Sequence, residues 1–218
     1  MKVYTLPVTG VFTTNCYFAI DETTKHGFLI DPGAQGKVLA AIIREKGWTI
    51  EKILLTHGHF DHTGGIRELE SAAPQPLPVY CHEKGPQYLL DPVLNLSRSC
   101  GPDILVEADG LLREGDIVQL RANPRCQLQV FSTPGHTEDS VLFYDAADQT
   151  AFVGDTIFKG EAGLTNFPTG DAKKLQQSIT RKILTLPDDT LLLSGHSQPT
   201  TVGAEKPRYA APVSLKYL

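Results

Sequence analysis

Thr56-His57-Gly58-His59-Phe60-Asp61-His62 gathers three imidazoles and one carboxylate into six positions, directly after the apolar stretch Glu51 to Thr56 and before a predicted helix. His57, His59 and Asp61 are spaced by two, so an extended backbone would aim all three toward one side, and His62 adds a donor where the chain turns. Three His and one Asp at this spacing arise by chance in a chain of this length with a probability on the order of 10⁻³ or less. Four donors so close in sequence cannot all meet one ion with good geometry, so further ligands must come from elsewhere and some must serve a second ion. Three candidates stand out, each in a glycine-containing turn after an apolar run: Thr133-Pro134-Gly135-His136, Phe152-Val153-Gly154-Asp155 and Leu193-Ser194-Gly195-His196. Five of the seven histidines fall in this constellation. His26 and His82 have no suitable partners nearby in sequence and are read as ordinary structural histidines.

Outward from the motif, alternation and turn chemistry predict strands over Lys2 to Val8, Asn15 to Ile20 and Gly27 to Asp31, then a helix over 36–46 with Val38, Leu39, Ile42 and Ile43 on one stripe. Glu51 to Thr56 is a buried strand. A helix from Ile66 to Ser71, a strand at Val79 to Cys81 and a helix from Glu83 to Leu90 follow. Residues 91–110 give the weakest pattern in the chain. Beyond them come strands at Ile117 to Leu120, Gln127 to Ser132, Val141 to Tyr144 and Ala151 to Val153, a helix at Ala172 to Leu184 and a last strand at Thr190 to Leu193. With no repeat and no linker, residues 1–218 are expected to form one domain, a sheet sandwich with helices outside.

The composition is that of an ordinary globular protein, with 41% hydrophobic and 21% charged residues. A net charge of −5 and the lack of any Lys/Arg run disfavour nucleic acid and anionic lipid as partners and favour a small-molecule substrate. The N-terminal segment, interrupted by Pro7 and Gly10, lacks the apolar stretch of a signal peptide, and no segment could span a membrane. Cys16, Cys81, Cys100 and Cys126 are dispersed and form no C-x-x-C, so four free thiols in a cytoplasmic protein are expected.

Taken together, T-H-x-H-x-D-H, T-P-G-H-T, G-D-T and S-G-H in this order resemble the metallo-β-lactamase superfamily, in particular its glyoxalase II-like (hydroxyacylglutathione hydrolase-like) branch. The likeness runs from about Thr5 to Lys206 and is supported by Asp31-Pro32-Gly33 and Thr200-Thr201-Val202-Gly203. It implies an α+β fold, a four-layer αββα sandwich. It also implies a binuclear centre in which one metal is held by His57, His59 and His136, the other by Asp61, His62 and His196, with Asp155 bridging. Two divalent ions are expected, zinc first, with iron or manganese as alternatives, since N/O donor sets without Cys suit all three. The implied chemistry is hydrolysis of a thioester, or an ester, by a metal-bridging hydroxide, with Asp61 both ligand and catalytic group. Asp31 is expected to shape the site through hydrogen bonds rather than to touch metal, and Thr137 and Ser140 are neighbours of the site.

The pattern departs from the branch in two places. Where the family carries a basic residue, as in G-R-T-D-F or G-K-F-Y, this chain reads Gly163-Leu164-Thr165-Asn166-Phe167, losing a charged contact used for a glutathione carrier. After His196 only 22 residues remain, too few for the helical extension of full-length glyoxalase II. A different or broader set of acyl substrates is therefore expected, with Phe158, Leu164, Asn166 and Phe167 as the candidate substrate loop. The main rival is a mono-iron persulfide dioxygenase, its iron held by His57, His136 and Asp155; a non-catalytic metal-binding protein is a further alternative. A β-lactamase is disfavoured by the missing secretion signal and by Asp155.

Overall fold

The computed structural model describes residues 1–210. β1 (Lys2–Thr9), β2 (Thr13–Ile20) and β3 (His26–Ile30) form an antiparallel meander. Helical crossings then add three parallel strands: α1 (Gly36–Lys46) leads to β4 (Thr49–Leu54), α2 (Phe60–Thr63) and α3 (Ile66–Ala72) lead to β5 (Val79–His82), and α4 (Gly85–Leu89) and α5 (Ser97–Cys100) lead to β6 (Gly110–Leu112). This six-stranded sheet runs β1 to β6 in sequence order. The second sheet opens with a meander of β7 (Ile117–Gln119), β8 (Gln127–Ser132), β9 (Val141–Asp145) and β10 (Thr150–Gly154). After the short ribbon β11 (Ile157–Phe158) and β12 (Glu161–Ala162), α6 (Ala172–Arg181) crosses to β13 (Leu191–Ser194), parallel to β10, and β14 (Thr200–Thr201) closes the edge before α7 (Val202–Ala210).

Side-chain alternation along the central strands explains the four layers, because successive residues point to opposite faces and both faces are covered. In β2, Tyr17 and Ala19 face the other sheet, whereas Phe18 and Ile20 meet Leu39, Ile43 and Leu69 of the outer helices. In β9, Val141 and Phe143 face inward, whereas Leu142 and Tyr144 pack with Leu175 and Ile179 of α6. Each large apolar side chain fully buried in these layers contributes roughly 1.5–3 kcal/mol. The result is an αββα sandwich, as the motif resemblance implies. Among the described residues, no helix is long and apolar enough to cross a membrane. All four cysteines are free.

The topology delivers one edge of the sandwich to the candidate site. β10 and β13 are parallel, so their last residues lie side by side, and the Gly195 N–H donates to the Gly154 carbonyl at 3.0 Å. Beyond β4, the Thr56 carbonyl accepts the Val141 N–H of β9 at 2.8 Å, which stitches the two sheets together beside His57. The strand expected to run from Glu51 to Thr56 spans Thr49–Leu54, since the Thr56 N–H turns out of the ladder and donates to the Asp31 carboxylate at 2.8 Å. The helix expected to continue to Leu184 stops at Arg181 and tightens into a 3₁₀ turn, Ile183–Thr185. The one-turn helix α5 falls in the weakly patterned segment 91–110, and the three-residue strand β6 begins at its end.

Gly33 has no room for a side chain: a Cβ there would lie 1.6 Å from the Asp61 carbonyl oxygen. Gly33→Ala must push α2 away from the Asp31–Gly33 turn and is expected to cost about 2–3 kcal/mol of unfolding free energy by chemical denaturation. An unchanged denaturation midpoint would show that α2 is free to shift.

Candidate metal centre

His57 and His59 sit in the loop that leaves β4, and the extended conformation persists only through His59, with φ −64° and ψ 147°. Helix α2 begins at Phe60, so Asp61 and His62 project from its first turn. The expectation that spacing by two aims His57, His59 and Asp61 to one side is thereby corrected: the helix separates Asp61 from the histidine pair and places it with His62 and His196. His136 comes from the turn after β8, Asp155 from the turn after β10 and His196 from the turn after β13. Seven donors from four separate chain segments thus meet at one sheet edge.

Two sets of three result. In the first, His57 Nε2 lies 3.1 Å and His136 Nε2 3.0 Å from His59 Nδ1. Nitrogens bound to one tetrahedral zinc at ~2.0–2.1 Å stand ~3.3 Å apart, close to these separations. In the second, His196 Nε2 is 3.1 Å from Asp61 Oδ2, and His62 Nε2 is 3.9 Å from the same oxygen. Asp155 faces both sets. Its Oδ1 lies 3.5 Å from His62 Nε2, and its Oδ2 lies 3.3 Å from His196 Nε2 and 3.7 Å from His136 Nε2.

The outward-facing ring nitrogens are held by the surrounding structure, which fixes where the lone pairs point. His136 Nδ1 donates to the Leu164 carbonyl at 2.7 Å, and His196 Nδ1 donates to the Thr13 carbonyl at 2.9 Å. His62 Nδ1 donates to Asp31 Oδ2 at 2.9 Å. Thr56 gives its hydroxyl proton to the same carboxylate at 2.6 Å, so its oxygen is left to accept from His57 Nδ1 at 3.2 Å. Anchoring a ligand's second nitrogen in this way sets its tautomer and raises its basicity.

These bonds test whether the residues fit a pair of cations. With their other nitrogens donating, His57 Nε2 and His136 Nε2 both present lone pairs to His59 Nδ1, which can supply one proton at most. At least one lone pair is left facing another unless a positive charge lies among them. His62 Nε2 and Asp155 Oδ1 are buried and have no hydrogen-bond partner, the orphaned state that a missing ion leaves. Burial, then the crowding of neighbouring imidazoles, holds His57 well below the ordinary His range; burial and His136 bring His59 down to about 3. These imidazoles are therefore neutral, the form that binds metal. In the second set burial opposes charge as well, but carboxylates outweigh it: Asp155, Asp31 and Asp61 raise His62 well above its usual range, and bonds to Asp155 and Asp61 carry His196 up to about 10. Such a set claims positive charge, from protons or from a metal ion, and the donor chemistry fits the metal.

Above the donors opens a cavity of about 430 Å³ walled by Phe12, Phe60, Leu96, Phe158, Leu164 and Phe167. Its floor is made of His59, Asp61, His136, Asp155 and His196, and Ser99 and Cys100 are the other polar residues on its wall. Phe167 stands edge-on to His59 and His136, with ring centroids 5.5 and 5.6 Å away. Of the four residues proposed as a substrate loop, Phe158, Leu164 and Phe167 line this space. Asn166 does not: it is exposed on the same loop and lies outside the lining. Phe12, Phe60, Leu96, Ser99 and Cys100 were not anticipated. Phe60 lies inside the motif and could have been suspected there; Leu96 and Cys100 belong to the segment without periodicity.

Asp31 is where its turn chemistry suggested, bound to Thr56 and His62. Thr137 and Ser140 bond each other at 2.7 Å within the His136 turn. His26 pairs with Glu51 at 2.8 Å and His82 lies 3.3 Å from the Ser132 hydroxyl, both outside the donor groups. One carboxyl escaped the sequence reading. Asp139 is buried beside Gly58 and Cys81 with neither oxygen hydrogen-bonded, and burial pushes it up to about 7.

Comparison with known proteins adds five findings. The family model of the metallo-beta-lactamase superfamily matches residues 9–196. The chain is 37% identical to "Probable metallo-hydrolase YqgX" of Bacillus subtilis over 94% of its own length and 95% of that protein's. It is 32% identical, with the same coverage, to "Hydroxyacylglutathione hydrolase GloC" of Haemophilus influenzae. Among solved structures, the BLEG-1 B3 metallo-beta-lactamase superposes with TM-score 0.86 at 34% identity, covering 94% of this chain and 97% of that one. TTHA1623 in a di-iron-bound form superposes with TM-score 0.78 at 31% identity, covering 93% and 96%.

Two predictions follow from the carboxylates around the donors. Asp31→Asn keeps the shape but offers one acceptor oxygen for three donors, so His62 loses its anchor; affinity for one of two bound ions, measured by chelator competition, should fall ~10–100-fold. Asp139 has a folded pKa raised from 3.8 to about 7, so its contribution is fully favourable below pH 3.8 and is lost as pH rises through 7. Asp139→Asn cannot ionise, and its thermal midpoint relative to wild type should shift in the variant's favour by several degrees between pH 5 and pH 8. Parallel pH profiles would mean that Asp139 is not raised.

Proposed function

This chain belongs to the metallo-beta-lactamase superfamily, and from that premise we propose that it is a two-metal hydrolase whose substrates are thioesters, with esters as slower ones. The observation that carries this reading is the position of Asp155, whose two oxygens address His62 on one side and His136 and His196 on the other, as a carboxylate shared between neighbouring ions would. The printed name of the 32% identical relative, a hydroxyacylglutathione hydrolase, supports the thioester class. Zinc is the first candidate for the ions and iron the second, given the di-iron form of a structural neighbour.

Two divalent ions held by these donors would supply Lewis acidity toward the acyl carbonyl and lower the pKa of a bound water. The chain's own groups do the positioning. His57, His59 and His136 are buried, and the Thr56 hydroxyl and the Leu164 carbonyl hold His57 and His136 by their second nitrogens, which limits drift of the first set as charge develops. Burial opposes ionisation of Asp61, but His62 and His196 outweigh it and keep its carboxyl below the usual range. An ionised Asp61 on the cavity floor can orient the attacking water through its second oxygen and accept its proton. The apolar walls exclude bulk water from the acyl group. A thiolate departs without protonation, so the reaction asks for no general acid on the apolar walls.

A mono-iron persulfide dioxygenase is the second reading, because His136 and Asp155 stand 3.7 Å apart and each shares a donor group with His57. Metal analysis of the purified protein combined with thioester, ester, β-lactam and persulfide substrates, under air and without oxygen, separates these chemistries. Two ions per chain and oxygen-independent thioester cleavage are expected. One iron with oxygen uptake would replace hydrolysis by oxygenation. Asp61→Ala should fold normally and lose ~10²–10⁴-fold in kcat, the range of a lost general base.

A further inference from the structure

We propose that the thioesters taken by this cavity have an apolar acyl chain and a thiol portion without free carboxylates. This rests on the thioester reading above and adds the substrate class. Six apolar side chains make the wall: Phe12, Phe60 and Leu96 from segments following strands of the first sheet, Phe158, Leu164 and Phe167 from the loops after β10. Both groups of wall residues border the donor set, so the two arms of a thioester lying across that floor each meet apolar surface.

Among the described residues, no Lys or Arg lines the space. The basic residues nearest in sequence to its wall are otherwise placed. Arg98, between Leu96 and Ser99, grips Asp103 with two nitrogens, at 2.6 and 3.3 Å. Lys159, next to Phe158, is exposed and outside the wall. A carboxylate carried into such a cavity would lose water and gain no partner, whereas each methylene carried in tightens binding roughly fourfold. Leu164 is the position where this selectivity is set. Its carbonyl is committed to His136 Nδ1, so the backbone there is fixed, but its side chain is 59% exposed and reaches the cavity rim, where a longer cationic side chain would meet an incoming anion.

The binding test varies the tail on one carrier and the carrier on one tail. Binding of S-hexyl-N-acetylcysteamine, S-methyl-N-acetylcysteamine and S-hexylglutathione, thioethers that cannot be cleaved, is measured by calorimetry on the zinc-loaded protein. Turnover of hexanoyl-N-acetylcysteamine is compared with that of S-lactoylglutathione. The hexyl compound should bind at least ~30-fold more tightly than the methyl one, a discounted value for five methylenes in a partly open space. S-hexylglutathione should bind no better than its neutral counterpart, and hexanoyl-N-acetylcysteamine should be turned over with at least ~10-fold higher kcat/KM than S-lactoylglutathione. Leu164→Arg should improve S-hexylglutathione relative to the neutral ligand by ~10-fold, the size of one charge-assisted contact at a half-open rim. Lys159→Ala should leave that ratio unchanged.

Hexyl and methyl compounds binding within threefold of each other, or wild-type preference for S-hexylglutathione by tenfold or more, would overturn the inference. So would a Lys159→Ala variant that loses glutathione binding. If no thioester is cleaved while the calorimetric preference holds, the thioester reading falls and the apolar selectivity of the cavity stands.

Discussion

Lone pairs and negative charge are concentrated at one sheet edge more densely than neutral packing allows. Three neutral imidazoles turn their ring nitrogens toward one another at about 3 Å, and two carboxylates face two further imidazoles beside them. Unaided, such a group repels itself, and its buried members have exchanged water for too few partners. Positive charge placed among them turns the repulsion between facing lone pairs, and between the two carboxylates, into a shared attraction. That requirement explains the neighbouring structure: the Asp31 turn, the Thr56 hydroxyl and the Leu164 and Thr13 carbonyls each hold a ring by its far nitrogen.

The sandwich makes this concentration of charge tolerable by holding the donors on strand ends that are themselves fully buried. Parallel pairing of β10 with β13 sets Asp155 and His196 side by side, while the Thr56 to Val141 backbone bond joins the His57 loop to the opposite sheet. Movement of any donor would have to drag a strand out of a close-packed core, and cores resist such displacement because every lost contact is felt. Gly33, against the Asp61 carbonyl, and Gly195, where a Cβ would lie 2.3 Å from Asp155 Oδ1, show how closely the backbone is drawn in around the donors. Rigidity is what a hydrolytic centre needs, since charge stabilisation is strongest when the stabilising groups need not reorganise during the reaction.

Chemistry and selection are separated in space. The polar floor is built from residues whose positions the two sheets dictate, whereas the wall comes mostly from the β1–β2 hairpin tip, from residues 91–105, from the β11 ribbon and from the loop between β12 and α6, with Phe60 of α2 as its one contribution from the donor motif. Loops of this kind can change side chains without disturbing the core. Leu164 illustrates the division, its carbonyl belonging to the floor through His136 and its side chain to the wall.

The sequence by itself determined the donor set and the layered fold. Ligand residues must be particular chemical types at a fixed spacing after a strand, and a strand buried on both faces must be continuously apolar; both constraints are local, so both are written in the chain. Even the helix over 36–46 was legible to the residue. The motif resemblance implied the partnership, Asp61 with His62 and His196 and Asp155 between the sets; tertiary structure supplied its physical cause, since α2 starts at Phe60 and the parallel pairing of β10 with β13 sets Asp155 beside His196. Tertiary structure also assigned the wall, bringing Phe12, Leu96 and Phe167 together and turning Asn166 outward. Residues 91–105 carried no signal because a one-turn helix and a positive φ of 67° at Leu96 follow no period, and their conformation is imposed by contacts such as the Phe60 N–H on the Asn95 carbonyl. Contacts between distant segments leave no local pattern, and so they become visible only when the chain is folded.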